Sequence, residues 1–228
     1  MIRQPDQDTL NQLKRHGYTV GSDVSHHDPA RPLLVCDVDE VILHLVSPFV
    51  TVLQERGFEL KSHSFKLTGN VFHRDTGREA TQEEVWAGLT QLFEEQKFRQ
   101  HVVNGAANGL AQLASDIDIL FLTNMPHAFG DIRRDYLASA GMSFPLITNT
   151  GSKAPAIEHI KQVRNGKIGF IDDTPRNLEQ VAEAHDDVAL FHFMADDTFR
   201  GLANEVEGVH FSTGDWTVAS SGIRNVLL

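Results

Sequence analysis

Short apolar runs alternate along this chain with stretches of helical periodicity, and no other feature constrains the fold as much. Leu33–Cys36, Ile117–Leu122, Pro145–Ile147, Ile168–Ile171 and Val188–Phe193 are such runs, and Val209–Phe211 adds a further one. Runs without polar residues at every second position suit strands covered on both faces. Between them, Asn104 reads as the cap of a helix containing Leu110 and Leu113, Asp131–Ala140 as a second helix and Ala154–Val163 as a third. Another helix is expected over Asp8–Arg15, followed by a loop, GSDVSHHDPARP. Strand and helix in turn specify an α/β protein: a doubly wound, Rossmann-like, mostly parallel sheet with helices on both faces.

One interval breaks the alternation. From Ser47 to His101 the chain runs far longer than a simple crossover needs. Leu89, Leu92 and Phe93 recur there at helical spacing, and KLTGNVFHRDTGREAT reads as a short hairpin with turns at Gly69-Asn70 and Thr76-Gly77. Residues 47–101 are therefore expected to form a small inserted cap, with 1–46 and 102–228 making the core. Phe65, Phe72, Trp86, Phe93 and Phe98 are expected to be the cap's own small core.

Composition narrows the function classes. With 228 residues and 41% hydrophobic content, the chain can bury one large domain or a core with a modest insertion. Its 20 basic residues face 31 acidic ones, a formal charge of −11 with no basic stripe, which argues against nucleic acid as a partner. An anionic small ligand remains compatible, because a metal ion and a few cations in a cleft can reverse the local field. No apolar stretch reaches the roughly 18 residues of a membrane span, and the N-terminal MIRQPDQDTLNQLKRHG is unlike a signal peptide. A cytoplasmic protein with no membrane partner is expected; the oligomeric state stays open. A lone cysteine, Cys36, rules out an internal disulfide and a multi-cysteine zinc site, and is expected to be a small buried hydrophobe.

The chemistry concentrates where the strands end. In LLVCDVDEV, Asp37 and Asp39 follow the first strand at a spacing that aims both side chains to one side. Two like charges there call for a cation, a shared proton or a chemical task. Ligands of open α/β sheets bind outside the carboxyl ends of the strands. Thr123 and Asn124 end the second strand in ILFLTN, Asp172 and Asp173 end the fourth in IGFIDDTPRN, and Lys153 opens the helix after the third in TGSKAPAI. Taken singly these are ordinary turn, cap and surface residues; converging on one sheet edge, they are a site.

These motifs, in this order, resemble the haloacid dehalogenase superfamily, chiefly its phosphatases. Asp37-Val38-Asp39-Glu40-Val41 matches the DxDx[TV] motif, Thr123 the strand-ending hydroxyl, Lys153 the lone basic residue at a helix start, and Asp172-Asp173 the closing acidic pair. The resemblance covers roughly residues 33–195. It implies a phosphatase that hydrolyses a small phosphorylated substrate, a phosphate monoester, through an aspartyl-phosphate. Asp37 would be the nucleophile and Asp39 the general acid and base. Thr123, Asn124 and Lys153 would bind the phosphoryl group. Mg²⁺ would be held by Asp37, the Asp39 carbonyl, and Asp173 with Asp172 beside it. Two positions depart from the family pattern: Glu40 stands where many members carry Gly, and Asn177 where many carry another acid.

Other readings stay in view. A phosphotransferase or mutase would use the same residues, a phosphoacceptor signalling domain a similar acidic cluster, and a binding module the same fold without turnover. A cysteine phosphatase needs an Arg where Ile42 stands, and a P-loop needs a glycine spacing that Gly151-Ser152-Lys153 lacks. His26-His27-Asp28 reads as a solvated loop or a metal site. His44, His63, His73 and His101 flank or occupy the cap, where they are expected at the surface or packed rather than on the substrate.

Overall fold

The computed structural model describes residues 4–20, 22, 28–61 and 69–228. His26, His27, His63, Phe65 and Lys66 lie outside them. In chain order the elements are α1 (Gln7–Arg15), β1 (Leu33–Cys36), α2 (Val46–Glu55), β2 (Phe58–Leu60), β3 (Val71–His73), α3 (Gln82–Glu94), α4 (Gln96–Arg99) and α5 (Ala106–Leu113). They continue with β4 (Asp118–Asn124), α6 (Gly130–Ser139), β5 (Leu146–Asn149), α7 (Ala154–Lys161), β6 (Ile168–Asp172) and α8 (Pro175–Ala184). The chain closes with β7 (Val188–Phe193), α9 (Asp197–Leu202), β8 (Val209–Thr213) and α10 (Trp216–Leu227).

Six strands form one parallel sheet in the order β5-β4-β1-β6-β7-β8. The chain leaves β1 toward β4 and β5, then crosses to β6 and continues outward on the other side. Strand order reverses at β1, which is where such sheets open a crevice for ligand. Alternate residues of β1 feed two cores. Leu34 and Cys36 share a cluster with Leu110 and Leu113 of α5, Leu137 of α6, and Trp216 and Ile223 of α10. Leu33 and Val35 pack with Leu13 of α1, Ile157 and Ile160 of α7, and Leu178 and Val181 of α8. This is the doubly wound α/β fold expected from the sequence.

Helix α5 shows a local correction. Asn104 does not cap it; the N-cap is Gly105 at φ 82°, a left-handed conformation that glycine adopts without steric cost. Four residues on, a Cβ at Gly109 would lie 2.8 Å from the Trp216 ring, so the bare backbone lets α5 and α10 approach. The N-terminal helix runs from Gln7, with Asp6 capping it by accepting from Thr9 N at 2.9 Å. Cys36 is fully buried, and burial pushes its thiol well above the ordinary range.

Within 47–101, β2 and β3 pair antiparallel, and the Thr76-Gly77 turn closes where Gly77 N donates to His73 O at 2.9 Å. This segment has a cluster of its own: Phe49, Val52, Leu53, Phe58, Val71, Ala80, Val85 and Leu92. The aromatic core expected here is wrong in part. Phe98 is 88% exposed and Trp86 52%. Trp86 follows Val85 on α3 and so falls off the helix stripe that Val85, Leu89 and Leu92 present inward. Phe93 is buried, but against Phe129 of the core rather than inside the segment's cluster.

Candidate active site

The turn after β1 is built to hold two carboxylates. Ile42 N and Leu43 N donate to Val38 O at 2.8 and 2.9 Å, and Glu40 N donates to Leu43 O at 2.7 Å, closing a tight loop around Asp39. Glu40 sits at φ 58°, the only described residue other than glycine with positive φ. A glycine would take this conformation freely; Glu40 offsets the strain with hydrogen bonds. Its Oε1 accepts from Leu45 N and Val46 N, both at 2.6 Å, and its Oε2 from Asp196 N at 3.0 Å. One buried side chain thereby caps α2, whose own N-cap residue Leu45 offers no side-chain acceptor, and ties the turn to the loop after β7. Trp216 Nε1 secures the same turn by donating to Val41 O at 2.9 Å.

Asp37, Lys153 and Asp172 converge in a buried line. The Lys153 ammonium donates to Asp37 Oδ1 at 2.5 Å and to Asp172 Oδ2 at 2.6 Å, with Lys153 1% exposed. Burial pushes the Asp37 carboxyl up to about 7; the Lys153 charge opposes this, and Asp172 and Asp39 reinforce it. Burial acts to lower the Lys153 pKa, but the Asp172 and Asp37 carboxylates outweigh it and hold the ammonium above its ordinary value. Asp173 is raised well above the carboxylate range by burial and by the charges of Asp172 and Asp37.

Carboxylate oxygens of Asp37, Asp172 and Asp173 lie within 4.8 Å of one another. This all-oxygen, anionic donor set fits a hard divalent cation such as Mg²⁺. The remaining contacts divide the labour among the acids. Asp172 Oδ1 accepts from Thr174 N and Asn177 Nδ2, each at 2.9 Å, so Asn177 orients Asp172. The Asp173 carbonyl accepts from His192 Nε2 at 2.9 Å, while His192 Nδ1 accepts from Ser212 Oγ at 2.6 Å. Burial lowers the His192 pKa, which suits the neutral ring this chain of bonds requires.

Thr123 is fully buried at the end of β4, and its hydroxyl has no hydrogen-bond partner among the described residues. An orphaned hydroxyl at a sheet edge lined with carboxylates and an ammonium is a ready donor for an oxyanion. Asn124 is engaged elsewhere: its amide donates to Gly151 O at 2.9 Å and its carbonyl accepts from Asn149 at 2.7 Å. That clasp steadies the loop carrying Lys153. Asp39 stands apart from the Asp37 cluster, its Oδ1 accepting from Gln100 Nε2 at 2.8 Å and from Arg133 Nη1 at 3.0 Å.

Glu40, Arg133, Gln100 and His192 were not identified as site components from the sequence. Only Glu40 carried a signal, a bulky acid in a motif position where glycine is common. Among the histidines near the inserted segment, His73 is paired with Glu84 at 3.1 Å and His101 is exposed.

No family model and no curated protein matches the chain; its likeness is to solved structures. A HAD hydrolase of family IA, variant 3, from Entamoeba histolytica aligns with a TM-score of 0.59 at 14% identity, over 85% of this chain and 100% of that one. A HAD hydrolase from Bacillus subtilis, bound to magnesium, aligns at 0.57 and 12% identity over 87% and 99%. One from Deinococcus radiodurans, with bound phosphate and sodium, aligns at 0.56 and 14% identity over 88% and 99%. By this overall likeness the chain has the fold of the haloacid dehalogenase superfamily, the superfamily its motifs resemble.

Proposed function

We infer that the protein is a Mg²⁺-dependent phosphatase that hydrolyses a small-molecule phosphate monoester through an aspartyl-phosphate on Asp37. The observation that carries this reading is the buried line Asp37–Lys153–Asp172, with Asp173 at metal-binding distance from the two acids. A nucleophilic carboxylate divides one very slow hydrolysis into two easier displacements. Asp37 attacks phosphorus and the leaving-group oxygen takes a proton from Asp39. Asp39 then takes a proton from the water that cleaves the aspartyl-phosphate. Thr123 donates to a phosphoryl oxygen, and Lys153 holds the Asp37 charge and offsets charge on the transferring group. Asp37, Asp173 and the Asp39 carbonyl would hold Mg²⁺, with Asp172 beside them. When bound, the ion allows carboxylate and phosphate, both anions, to meet. The separate cluster within 47–101 supports a cap that covers the site and selects the substrate.

The test is a screen of sugar phosphates, nucleotides and an aryl phosphate, with Mg²⁺ and with chelator. Phosphate release that requires the metal and vanishes in Asp37→Asn supports the reading. Release of no phosphate from any ester, or release unaffected by exhaustive chelation, contradicts it.

A further inference from the structure

Arg133 is among the largest fully buried side chains of the protein, with 0% exposure. A guanidinium in that position must be paired and hydrogen-bonded, because an uncompensated buried charge is strongly unfavourable. Its donors are placed accordingly. Nη1 donates to Asp39 Oδ1 at 3.0 Å, Nη2 to Gln100 Oε1 at 3.0 Å, and Nε to Gln96 Oε1, while Cζ lies 5.7 Å from the Phe93 ring centre. Gln96 and Gln100 are themselves buried. Gln100 closes the circle: its Nε2 donates to Asp39 Oδ1 at 2.8 Å and to His44 O at 3.0 Å. Tyr136, on α6 beside Arg133, donates to Gln100 O at 2.6 Å.

Both donors to Asp39 meet the same oxygen. No described residue bonds Oδ2, and the side chain is 13% exposed. We propose that Arg133 is a positioning residue for Asp39: with Gln100 it fixes Oδ1, so that Oδ2 alone faces the reacting group and carries the proton. This rests on the phosphatase reading above and deepens it. In the first displacement the Oδ2–H bond breaks as the leaving oxygen, parting from phosphorus, gains that proton. In the second, Oδ2 gains a proton from the attacking water as the bond from phosphorus to Asp37 breaks. Arg133 comes from α6 of the core, whereas Gln96 and Gln100 come from the end of the segment inserted after β1. The cradle thus joins the proton-carrying acid to the strut on which that segment is mounted.

A purely structural fastener between α4 and α6 would slow all substrates alike. A positioning residue makes a different prediction, because a leaving group that departs as a stable anion needs no proton. In Arg133→Gln, single-turnover release of an alkyl alcohol should fall about 10²-fold, the order a 1 Å misplacement costs. Pre-steady-state phenol release from an aryl phosphate should keep its wild-type rate. In an Asp39→Asn background, Arg133→Gln should add nothing to either. Should Arg133→Gln fail to fold, Gln100→Leu removes the second donor to Oδ1 and the acceptor of Arg133 Nη2 but keeps the Arg133–Asp39 ion pair, and should show the same split at smaller size. Equal loss on both esters, or a further loss in the Asp39→Asn background, overturns the positioning role and leaves the phosphatase reading standing. A wild-type protein that forms no phosphoenzyme overturns both.

Discussion

The Lys153 ammonium lies 2.5 Å from the Asp37 carboxylate, and neither side chain is more than 7% exposed. Its second partner, Asp172, is fully buried at 2.6 Å. One cation therefore neutralises two acids, and removing it strands both. Breaking a buried pair from one side costs about 3–5 kcal/mol, so Lys153→Met should destabilise the metal-free protein by that order. Loss of the cation raises the Asp37 pKa beyond its value of about 7, so protonation relieves the variant as pH falls. Urea unfolding at pH 5.5 and pH 8 measures this: the deficit should be larger at pH 8. An equal deficit at both would show that Asp37 is not the group left uncompensated.

Mg²⁺ should stabilise the native chain, because a ligand that binds the folded form alone shifts the equilibrium toward it. The melting temperature should rise with added Mg²⁺ and return on chelation. Asp173→Asn should lose most of the rise, since it removes one of the acids closing the 4.8 Å cluster. A rise of the same size in that variant would place the ion elsewhere.

Glu40 combines a strained backbone with three accepted backbone hydrogen bonds. Glu40→Gly relieves roughly 1 kcal/mol of left-handed strain. It also leaves the first amides of α2 and Asp196 N without their acceptor, and bonds to a charged group are worth about 1.5–3 kcal/mol each. The variant should be less stable in denaturant unfolding despite the relief of strain. A more stable variant would mean that the side chain contributes only strain.

The Asp6 carboxylate ties α1 to the β5 edge through Thr150 Oγ1 at 2.7 Å and His127 Nε2 at 3.0 Å. Burial acts to raise its pKa, but hydrogen bonds from Thr150 and Thr9 outweigh this and hold it at about 2. A depressed carboxylate stabilises the fold above its unfolded pKa of 3.8 and loses that contribution as pH falls toward 2. The melting difference between wild type and Asp6→Asn should shrink as pH falls from 4 to 2. A difference that stays constant through that range would show the charge to be immaterial.

The elements legible in the sequence are those written in apolar runs. Leu33–Cys36 and Val188–Phe193 match β1 and β7 residue for residue: Asp37 ends the first apolar run where its ladder ends, and Asp186-Asp187 precede the start of the second. Strand β4 runs beyond Leu122 to Asn124, since backbone pairing of Thr123 and Asn124 with Thr148 and Asn149 carries the ladder through polar side chains. Apolarity does not mark that end. The meeting of Asp37, Lys153, Asp172 and Asp173 was legible because strand-end positions in such a sheet converge; Asp39, expected on the same side, bonds Gln100 and Arg133 instead.

The Asp39 cradle was not legible, for a local reason. Arg133 and Arg134 are neighbours on one helix; the first is buried against Asp39, the second pairs with exposed Asp131 on the surface. Nothing in the local sequence distinguishes them, because the difference is made by Gln96, Gln100 and Phe93 arriving from another segment. Trp86 and Phe98 failed for the opposite reason: residue type suggested burial, and their place on the helix surface decided against it.

The two acids after β1 are the centre of the account, and rapid mixing of Asp39→Asn with an aryl phosphate tests them most directly. The first transfer needs no proton donor, whereas dephosphorylation lacks its base and should slow by about 10²–10⁴-fold. The expected record is a burst of phenol approaching one equivalent per site, then slow turnover, with acid-quenched protein carrying phosphate on Asp37. Phosphoenzyme in the Asp37→Asn protein, or wild-type turnover of an alkyl phosphate by the Asp39→Asn protein, would contradict the roles assigned to both.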